Sequence, residues 1–371
     1  MTKNEFLSSQ IITYMGNKRK LLPYIEDEVE QIISTLGNKK IYIGDGFSGS
    51  GIVSRLLKTK ADYLYTNDIA GYSHTLNSCY LSNPSNTCIN KIHDFIDTAN
   101  QLAREHESNS FEPWLSKHWA PSNNHITAND RVYYTYNNGR IIDVIRNYID
   151  TIPNKYKCFL LAPLLVESSI HNNTNGQFSA YYKHNNIGAY GGKKSIDINR
   201  ITQDIKLPYP IFDINKCNVI CSQKDVIQWI TDIPNKLDIV YYDPPYNKHP
   251  YNIYYFLLDI INNWDKTIDI PNTNRGQPLN WTPSNYNSTK YAKKAMEDLI
   301  INTNASYIIL SYNSGGIISI DELDNLLNRL CSNVKKIPII HKTYNRLKGI
   351  SNYKRVQDYK DVKEYLFVIK K

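Results

Sequence analysis

The sequence predicts an α/β fold with a mixed, mostly parallel sheet, interrupted by a mainly helical insert that carries a β-hairpin. Three observations predict it. "KKIYIGDGFSGSGIVSRLLKTKADYLYTNDI" reads as a strand, a glycine-rich turn, a helix and a second strand. "CNVICSQKDVIQWI" and "KLDIVYYDPPY" repeat the strand-and-helix alternation much later in the chain. Between them lies a stretch of different character, with helical runs and then a polar, glycine-containing segment. Alternating strands and helices favour a parallel, doubly wound sheet.

In chain order, "IITYMGNKRKLLPYIEDEVEQII" begins as a loop and continues as an amphipathic helix, with Leu22, Ile25, Val29 and Ile32 or Ile33 on one face. Lys40 to Asp45 is expected to be a buried strand, Ile52 to Lys58 a helix, and Asp62 to Asn67 the next strand. The stretch from about Gly71 to Lys216 holds "RIIDVIRNYIDTI" and "YKCFLLAPLLVESSI", both helix-like, then "HNNTNGQFSAYYKHNNIGAYGGKKS", which looks like a hairpin and loop. After "DPPY" the chain offers an apolar strand in "ASYIILSYNSGG", a helix in "DELDNLLNRL", and strands in "VKKIPIIHKTY" and "VKEYLFVIKK". The domain boundaries expected are 1–74 and 217–371 for the two parts of the core and 75–216 for the insert.

Composition narrows the function classes. The 371 residues are 41% hydrophobic and 21% charged, the balance of a soluble globular protein, and 43 Lys and Arg against 35 Asp and Glu give a formal charge of +8. That excess suits a polyanionic partner. The six cysteines form no paired C-x-x-C spacing, so reduced thiols in a cytoplasmic protein are expected and no metal site is. No apolar run approaches the roughly 20 residues that span a bilayer, so no membrane partner is expected. The phosphate-binding pattern G-x-x-x-x-G-K-[ST] is absent, which argues against nucleotide hydrolysis.

In an open α/β sheet, ligands bind beyond the carboxyl ends of the strands. That places "DGFSGSG", "TND", "CSQKD" and "DPPY" along one edge. The glycines at 46, 49 and 51 allow a tight turn and close backbone approach to a nucleoside-like ligand, and Asp68 stands where an acid accepts hydrogen bonds from ribose hydroxyls. Pro244 and Pro245 neither extend a ladder nor enter a helix, so Asp243 is presented by a stiff turn. Its carboxylate and the Pro244 carbonyl make two acceptors, a match for the two hydrogens of an exocyclic amino group, and Tyr246 offers a flat face for a planar base.

"DPPY", "DGFSGSG" and "TYMGNKRKLL", in this chain order, resemble the S-adenosylmethionine-dependent DNA adenine-N6 methyltransferases, in the arrangement of their alpha group or D12 class. The resemblance implies a Rossmann-like methyltransferase core split by a target-recognition insert. It places Tyr14 and Lys18 on the family's cofactor segment W-x-G-G-K, with tyrosine for the usual tryptophan and Asn17 for the second glycine. It puts Asp45, Phe47 and Gly49 by the methionine part of S-adenosylmethionine, Asp68 on its ribose and Asp225 near its adenine. Asp243, Pro244 and Tyr246 would hold the target adenine, with Asp243 also bordering the cofactor. The mechanism implied flips adenine out of the duplex and methylates its amino group directly, without a covalent enzyme intermediate. Serine commonly replaces this aspartate in N4-cytosine enzymes and asparagine in several RNA or protein-glutamine enzymes, so Asp243 favours adenine. An N4-cytosine or RNA amino-methyltransferase, and a non-catalytic DNA-binding module, are the alternative readings.

"NGQFSAYYK" is similar to the family's DNA-contacting hairpin segment. The expected DNA contacts are Asn175, Gln177, Lys183, Lys193 and Lys194 there, and Arg346 and Lys348 in the basic, tyrosine-interleaved "KTYNRLKGISNYKR". Arg200, Asn172 and Asn173 are further candidates. The partner implied is double-stranded DNA carrying a specific adenine site, acted on by a monomer; the family includes solitary adenine methylases and the modification members of restriction-modification systems, and the expected reading is the latter, which a restriction endonuclease can accompany.

Overall fold

The computed structural model describes residues 2–14, 16–37, 39–107, 111–248, 250–279, 283–339 and 363–371. Among the described residues nine strands run in chain order: β1 (Tyr42–Asp45), β2 (Tyr63–Asn67), β3 (Lys183–His184), β4 (Ile187–Gly188), β5 (Asn218–Ser222), β6 (Leu237–Tyr242), β7 (Ala305–Asn313), β8 (Asn333–Ile339) and β9 (Glu364–Lys370). Seven of them form one sheet in the order β5-β2-β1-β6-β7-β9-β8. The pairs β5/β2, β2/β1, β1/β6 and β6/β7 are parallel, and β9 runs antiparallel to both β7 and β8. The architecture is an α/β one built on a mixed, mostly parallel sheet, as the strand-and-helix alternation predicts.

Every residue of β6 is buried, because helices cover both faces of the sheet. Its side chains alternate accordingly. Val240 and Tyr242 join Trp229, Met296, Leu299, Leu323 and Phe367 on one face. Ile239 and Tyr241 join Ile25, Val29, Ile43, Leu56, Leu57 and Leu366 on the other. This accounts for the continuous apolar run before "DPP": a strand covered on both sides needs no polar alternation. The strand stops where the prolines begin.

A third cluster gathers the helices Gly71–Tyr80, Asn86–Arg104, Leu115–Trp119, Tyr136–Thr151 and Asn154–Ile170. The helix Gly71–Tyr80 runs through the expected boundary at 74/75. Tyr255, Phe256, Leu257 and Leu258 of the helix Tyr251–Asn263, which follows the "DPPY" turn, belong to the same cluster. The helical region is therefore seated directly on the site's own helix. The hairpin lies where the polar segment predicts it, β3 and β4 joined by Asn185 and Asn186 at φ 51 and 65. Two consecutive left-handed asparagines are the type I′ chemistry that suits the twist of a hairpin.

The N-terminal segment is tied to the glycine-rich unit by Arg55, which lies in the helix Ile52–Lys58 and is 1% exposed. Its guanidinium donates to the carbonyls of Phe6 (2.9 Å), Ser9 (2.7 Å) and Gln10 (2.8 Å), and stacks 4.2 Å from the centre of the Tyr80 ring. Burial pulls its pKa down to about 10, and the carbonyls and ring offset part of the cost of burying the charge. Replacing it with Met strands three carbonyls, that of Phe6 buried and those of Ser9 and Gln10 partly so. Arg55→Met is expected to lower the free energy of urea unfolding by about 3 kcal/mol; no change would show that the clamp is not structural.

Candidate active site

The carboxyl ends of β1, β2, β5 and β6 open into a cavity of about 860 Å³. Backbone register brings the ends together: Asp45 pairs with Tyr241 of β6 and Thr66 of β2, and Asn67 pairs with Ser222 of β5. The buried Asn67 side chain fastens the turns beyond, donating to the Lys224 carbonyl (3.1 Å) and accepting from the Lys224 N–H (3.0 Å). Tyr14, Lys18, Phe47, Gly49, Asp68, Asp225 and Asp243 all line this one cavity.

Asp68 is fixed by two backbone donors, the N–H groups of Gly49 (2.8 Å) and Ala70 (2.9 Å). Burial raises its pKa and these two hydrogen bonds oppose the rise. Gly49 has φ +50, and a Cβ there would sit 3.0 Å from the Tyr14 ring, so the turn and the N-terminal aromatic are packed as close as glycine permits. Tyr14 stacks on Tyr255 (4.6 Å between ring centres) and on Tyr251 (5.3 Å), both from the helix after the catalytic turn. Phe47 packs edge-on against Tyr286 and Tyr242. Asp225 is exposed and caps the helix Val226–Asp232 by accepting from the Ile227 N–H at 2.9 Å.

Asp45 lies behind the wall, wholly buried, accepting from the Ser54 hydroxyl at 2.6 Å. Burial lifts its pKa to about 7, the Ser54 hydrogen bond pulling the other way, and its Oδ1 has no hydrogen-bond partner among the described residues. Asp243 leaves the end of β6 toward the buried Lys18 ammonium, Oδ1 to Nζ 3.1 Å. Burial lifts Asp243 to about 6 against the pull of Lys18. Burial also works to lower the pKa of Lys18, and Asp243 holds it well above the usual lysine range instead. Lys18 thus pairs with the catalytic turn, and its Nζ sits 5.3 Å over the Tyr246 ring.

Tyr246 is 7% exposed, edge-on to Tyr312 at 5.8 Å, and backs the cavity wall together with the buried Pro244. Aromatic residues on the wall itself include Tyr14, Phe47, Tyr72, Tyr251, Phe256 and Tyr286. Two acids were not anticipated from the sequence. Asp259, in the helix Tyr251–Asn263, lines the cavity, and burial together with Asp68 lifts its pKa to about 7. The signal was a lone acid in "YYFLLDII". Glu364, at the start of β9, approaches Lys18 at 3.6 Å, and nothing in the local sequence marks it.

In the polar segment, Asn173 is wholly buried and works as a tie. It donates to the carbonyls of Val132 (2.9 Å) and Ala189 (3.2 Å) and accepts from the Gly191 N–H (3.0 Å). Asn172 is likewise buried in bonds to its own loop. Arg200 donates to the carbonyls of Ile170, Asn172 and Thr174. These three candidates for DNA contact are therefore structural, because their polar groups are spent on backbone. Asn175, Lys193 and Lys194 are exposed, Gln177 and Lys183 half-buried, and Lys183 Nζ lies 4.8 Å over the Tyr181 ring. The loop abuts the N-terminal segment: Gly176 (φ +96) packs against Thr13, and the Phe178 N–H donates to the Tyr254 carbonyl at 2.7 Å. Arg346 and Lys348 lie outside the described residues.

Comparison with known proteins decides the family. The model of the D12 class N6 adenine-specific DNA methyltransferases matches residues 14–313, from the cavity's Tyr14 to the end of β7. The chain belongs to this family. Type II methyltransferase M.NlaIII of Neisseria lactamica is 28% identical over 97% of this chain and 99% of its own length. Type II methyltransferase M.CviAII of Paramecium bursaria Chlorella virus 1 is 24% identical over 96% and 98%. Modification methylase StsI of Streptococcus sanguinis is 29% identical over 96% of this chain, which spans 52% of that relative. The D12 class membership makes the reaction methyl transfer to the N6 amino group of adenine in DNA.

The raised acids of this D12 site have a consequence for stability. Asp45 and Asp259 near 7, against 3.8 ordinarily, keep their protons in the folded chain where the unfolded chain has released them. The folded state then binds more protons, so the stability these groups contribute is present at low pH and is lost as pH rises from about 4 to about 7. Asp45→Asn removes one titrating group and keeps an acceptor for Ser54. Urea unfolding across this window is expected to show a shallower fall with pH in the variant; an unchanged slope would contradict the buried-acid assignment.

Proposed function

We propose that the cavity binds S-adenosylmethionine and that the enzyme methylates one specific adenine in double-stranded DNA as the modification member of a restriction-modification system. The observation that carries the reading is Asp243, set on the cavity wall at the end of β6 by the stiff prolines and held by Lys18. A volume of about 860 Å³ suits a nucleoside-sized ligand. The donor set suits a cation: Asp68, Asp225, Asp243 and Asp259 line the space, and the orphaned Asp45 Oδ1 lies behind it.

Within this reading Asp68 receives the ribose hydroxyls, Asp225 neighbours the cofactor's adenine, and Asp45, Phe47 and Gly49 enclose its methionine part, with Tyr14 packed over Gly49. When bound, the cofactor supplies an electrophilic methyl group on a sulfonium. Asp243 and the Pro244 carbonyl accept hydrogen bonds from the two N6 hydrogens of a flipped adenine, which frees the nitrogen lone pair for attack; catalysis is by positioning and fixed charge. Flipping costs a few kcal/mol, and stacking a base on an aromatic ring returns about 1–3 kcal/mol. Tyr246 and Tyr251 are the surfaces proposed for it.

Residues 75–216 are proposed as the target-recognition region, with Asn175 and Gln177 toward bases and Lys183, Lys193 and Lys194 toward phosphates. The contact of their loop with Thr13 and Tyr254 supports placing recognition beside the catalytic pocket. Arg346 and Lys348 remain proposed phosphate contacts. The enzyme is proposed to act as a monomer, and a DNA substrate supports a cytoplasmic location. Among the described residues no helix is long and apolar enough to cross a membrane. The restriction-modification role is supported by relatives named as type II or modification methylases, and implies a partner endonuclease.

Asp243→Ala is expected to cut single-turnover N6 methylation by about 10²-fold or more while S-adenosylmethionine affinity stays near that of the parent protein. Retained methylation would sink the assignment of Asp243.

A further inference from the structure

The C-terminal strand adds an anion to the catalytic ion pair. Lys18 Nζ lies between Asp243 Oδ1 (3.1 Å) and Glu364 Oε2 (3.6 Å), with the Lys18 side chain 4% and the Glu364 side chain 11% exposed. Glu364 opens β9, opposite Asn313 of β7 and Ile339 of β8, so strand pairing on both sides fixes its backbone. Lys18 Nζ, Asp243 Oδ1 and Glu364 Oε2 make no aligned hydrogen bond with any described group, so the three are held by charge. With all three ionised, the cluster is one anion in excess.

That excess matters to the reaction. Methyl transfer moves positive charge from the donor onto the N6 nitrogen, and a buried Lys18–Asp243 pair alone is neutral and has little net charge to offer it. We propose that Glu364 is a positioning residue of methyl transfer: it engages Lys18 from the far side and leaves the Asp243 carboxylate with uncompensated negative charge where the methylated nitrogen becomes cationic. Glu364 does not line the cavity and acts through Lys18. The inference rests on the reading of Asp243 as acceptor for the adenine amino group.

The ionisable groups facing Asp243 are Lys18 ahead of the helix Leu22–Leu36, Glu364 on β9, Tyr241 on β6, Tyr246 in the turn, Tyr251 on the following helix and Asp45 on β1. The lysine and the tyrosines are raised and stay protonated at neutral pH, and Asp45, which feels Asp243 directly, is present in parent and variant alike. Of these groups the variant changes Glu364 alone.

The test is Glu364→Gln, with single-turnover methylation at saturating S-adenosylmethionine and DNA followed from about pH 5 to about pH 9. The plateau rate is expected to fall about tenfold, less than for a group touching the substrate. The acid limb is expected to move to lower pH, because removing a neighbouring anion favours ionised Asp243. S-adenosylmethionine affinity and the unfolding midpoint should match the parent. A parental rate and limb overturn the proposal, and so does a slower rate with an unmoved limb, the mark of a merely structural role. Glu364→Asp keeps the charge, so it should keep the limb and most of the rate; a loss equal to that of Glu364→Gln also overturns it, and this arm stands if Glu364→Gln does not fold. Asp243→Ala, which removes the acceptor, separates the two readings. Activity in that variant defeats the acceptor role itself, whereas an inactive Asp243→Ala beside a parental Glu364→Gln defeats only the role of Glu364.

Discussion

The buried contact between Lys18 and Asp243 joins three parts of the chain that are far apart in sequence. Lys18 belongs to the N-terminal segment, Asp243 to the end of β6, and Glu364, which meets Lys18 from the other side, to the last strand. Burial works against both charges of the pair, and each is retained because the other is there. Removing one partner from such a pair leaves an uncompensated buried charge, typically a loss of about 3–5 kcal/mol. A protein accepts that risk where the charge is used. Here the carboxylate stands on the wall of the cavity that the family's chemistry requires.

The surrounding structure serves to hold this contact. Arg55 clamps residues 6–10 and so sets where Tyr14 and Lys18 fall. Asn67 locks the turns after β2 and β5, and Asp68 locks the glycine-rich turn by taking the Gly49 N–H. The helix Tyr251–Asn263 stacks two tyrosines on Tyr14, accepts the Phe178 N–H of the polar loop, and buries its other residues among the insert helices. The N-terminal segment with Tyr14, the "DPPY" turn and the polar loop thus meet on one helix. A shift in the loop would be felt at Tyr14 through Thr13 and Tyr254.

Much of this was legible in the sequence because it depends on local rules. β1, β2 and β6 and the helix Ile52–Lys58 follow from apolar runs, a glycine-rich turn and two prolines, and the hairpin from a polar, glycine-containing segment. Lys18, Phe47, Gly49, Asp68, Asp225 and Asp243 were placed on one edge by strand order and family resemblance, and they line one cavity. What could not be read depends on tertiary contact. Glu364 begins an ordinary apolar strand, and its meaning comes only from β9 lying between β7 and β8. Asn172, Asn173 and Arg200 have side chains suited to nucleic acid, but the fold spends them on backbone carbonyls and amides. Tyr246, read as a flat face for a planar base, is 7% exposed, with the Lys18 ammonium over its ring and Tyr312 in a T-shaped contact, an environment no local pattern announces. Residue type gave the candidates, and burial sorted them.

The central claim is that Lys18 keeps Asp243 ionised at the point of methyl transfer. It is tested most directly by the pH dependence of single-turnover adenine methylation in Lys18→Met, followed from about pH 5 to about pH 9. Loss of the cation raises the Asp243 pKa, so the acid limb of the rate should move to higher pH, with a far larger deficit near pH 6 than near pH 9. A parental profile, or a deficit equal at every pH, would contradict the account.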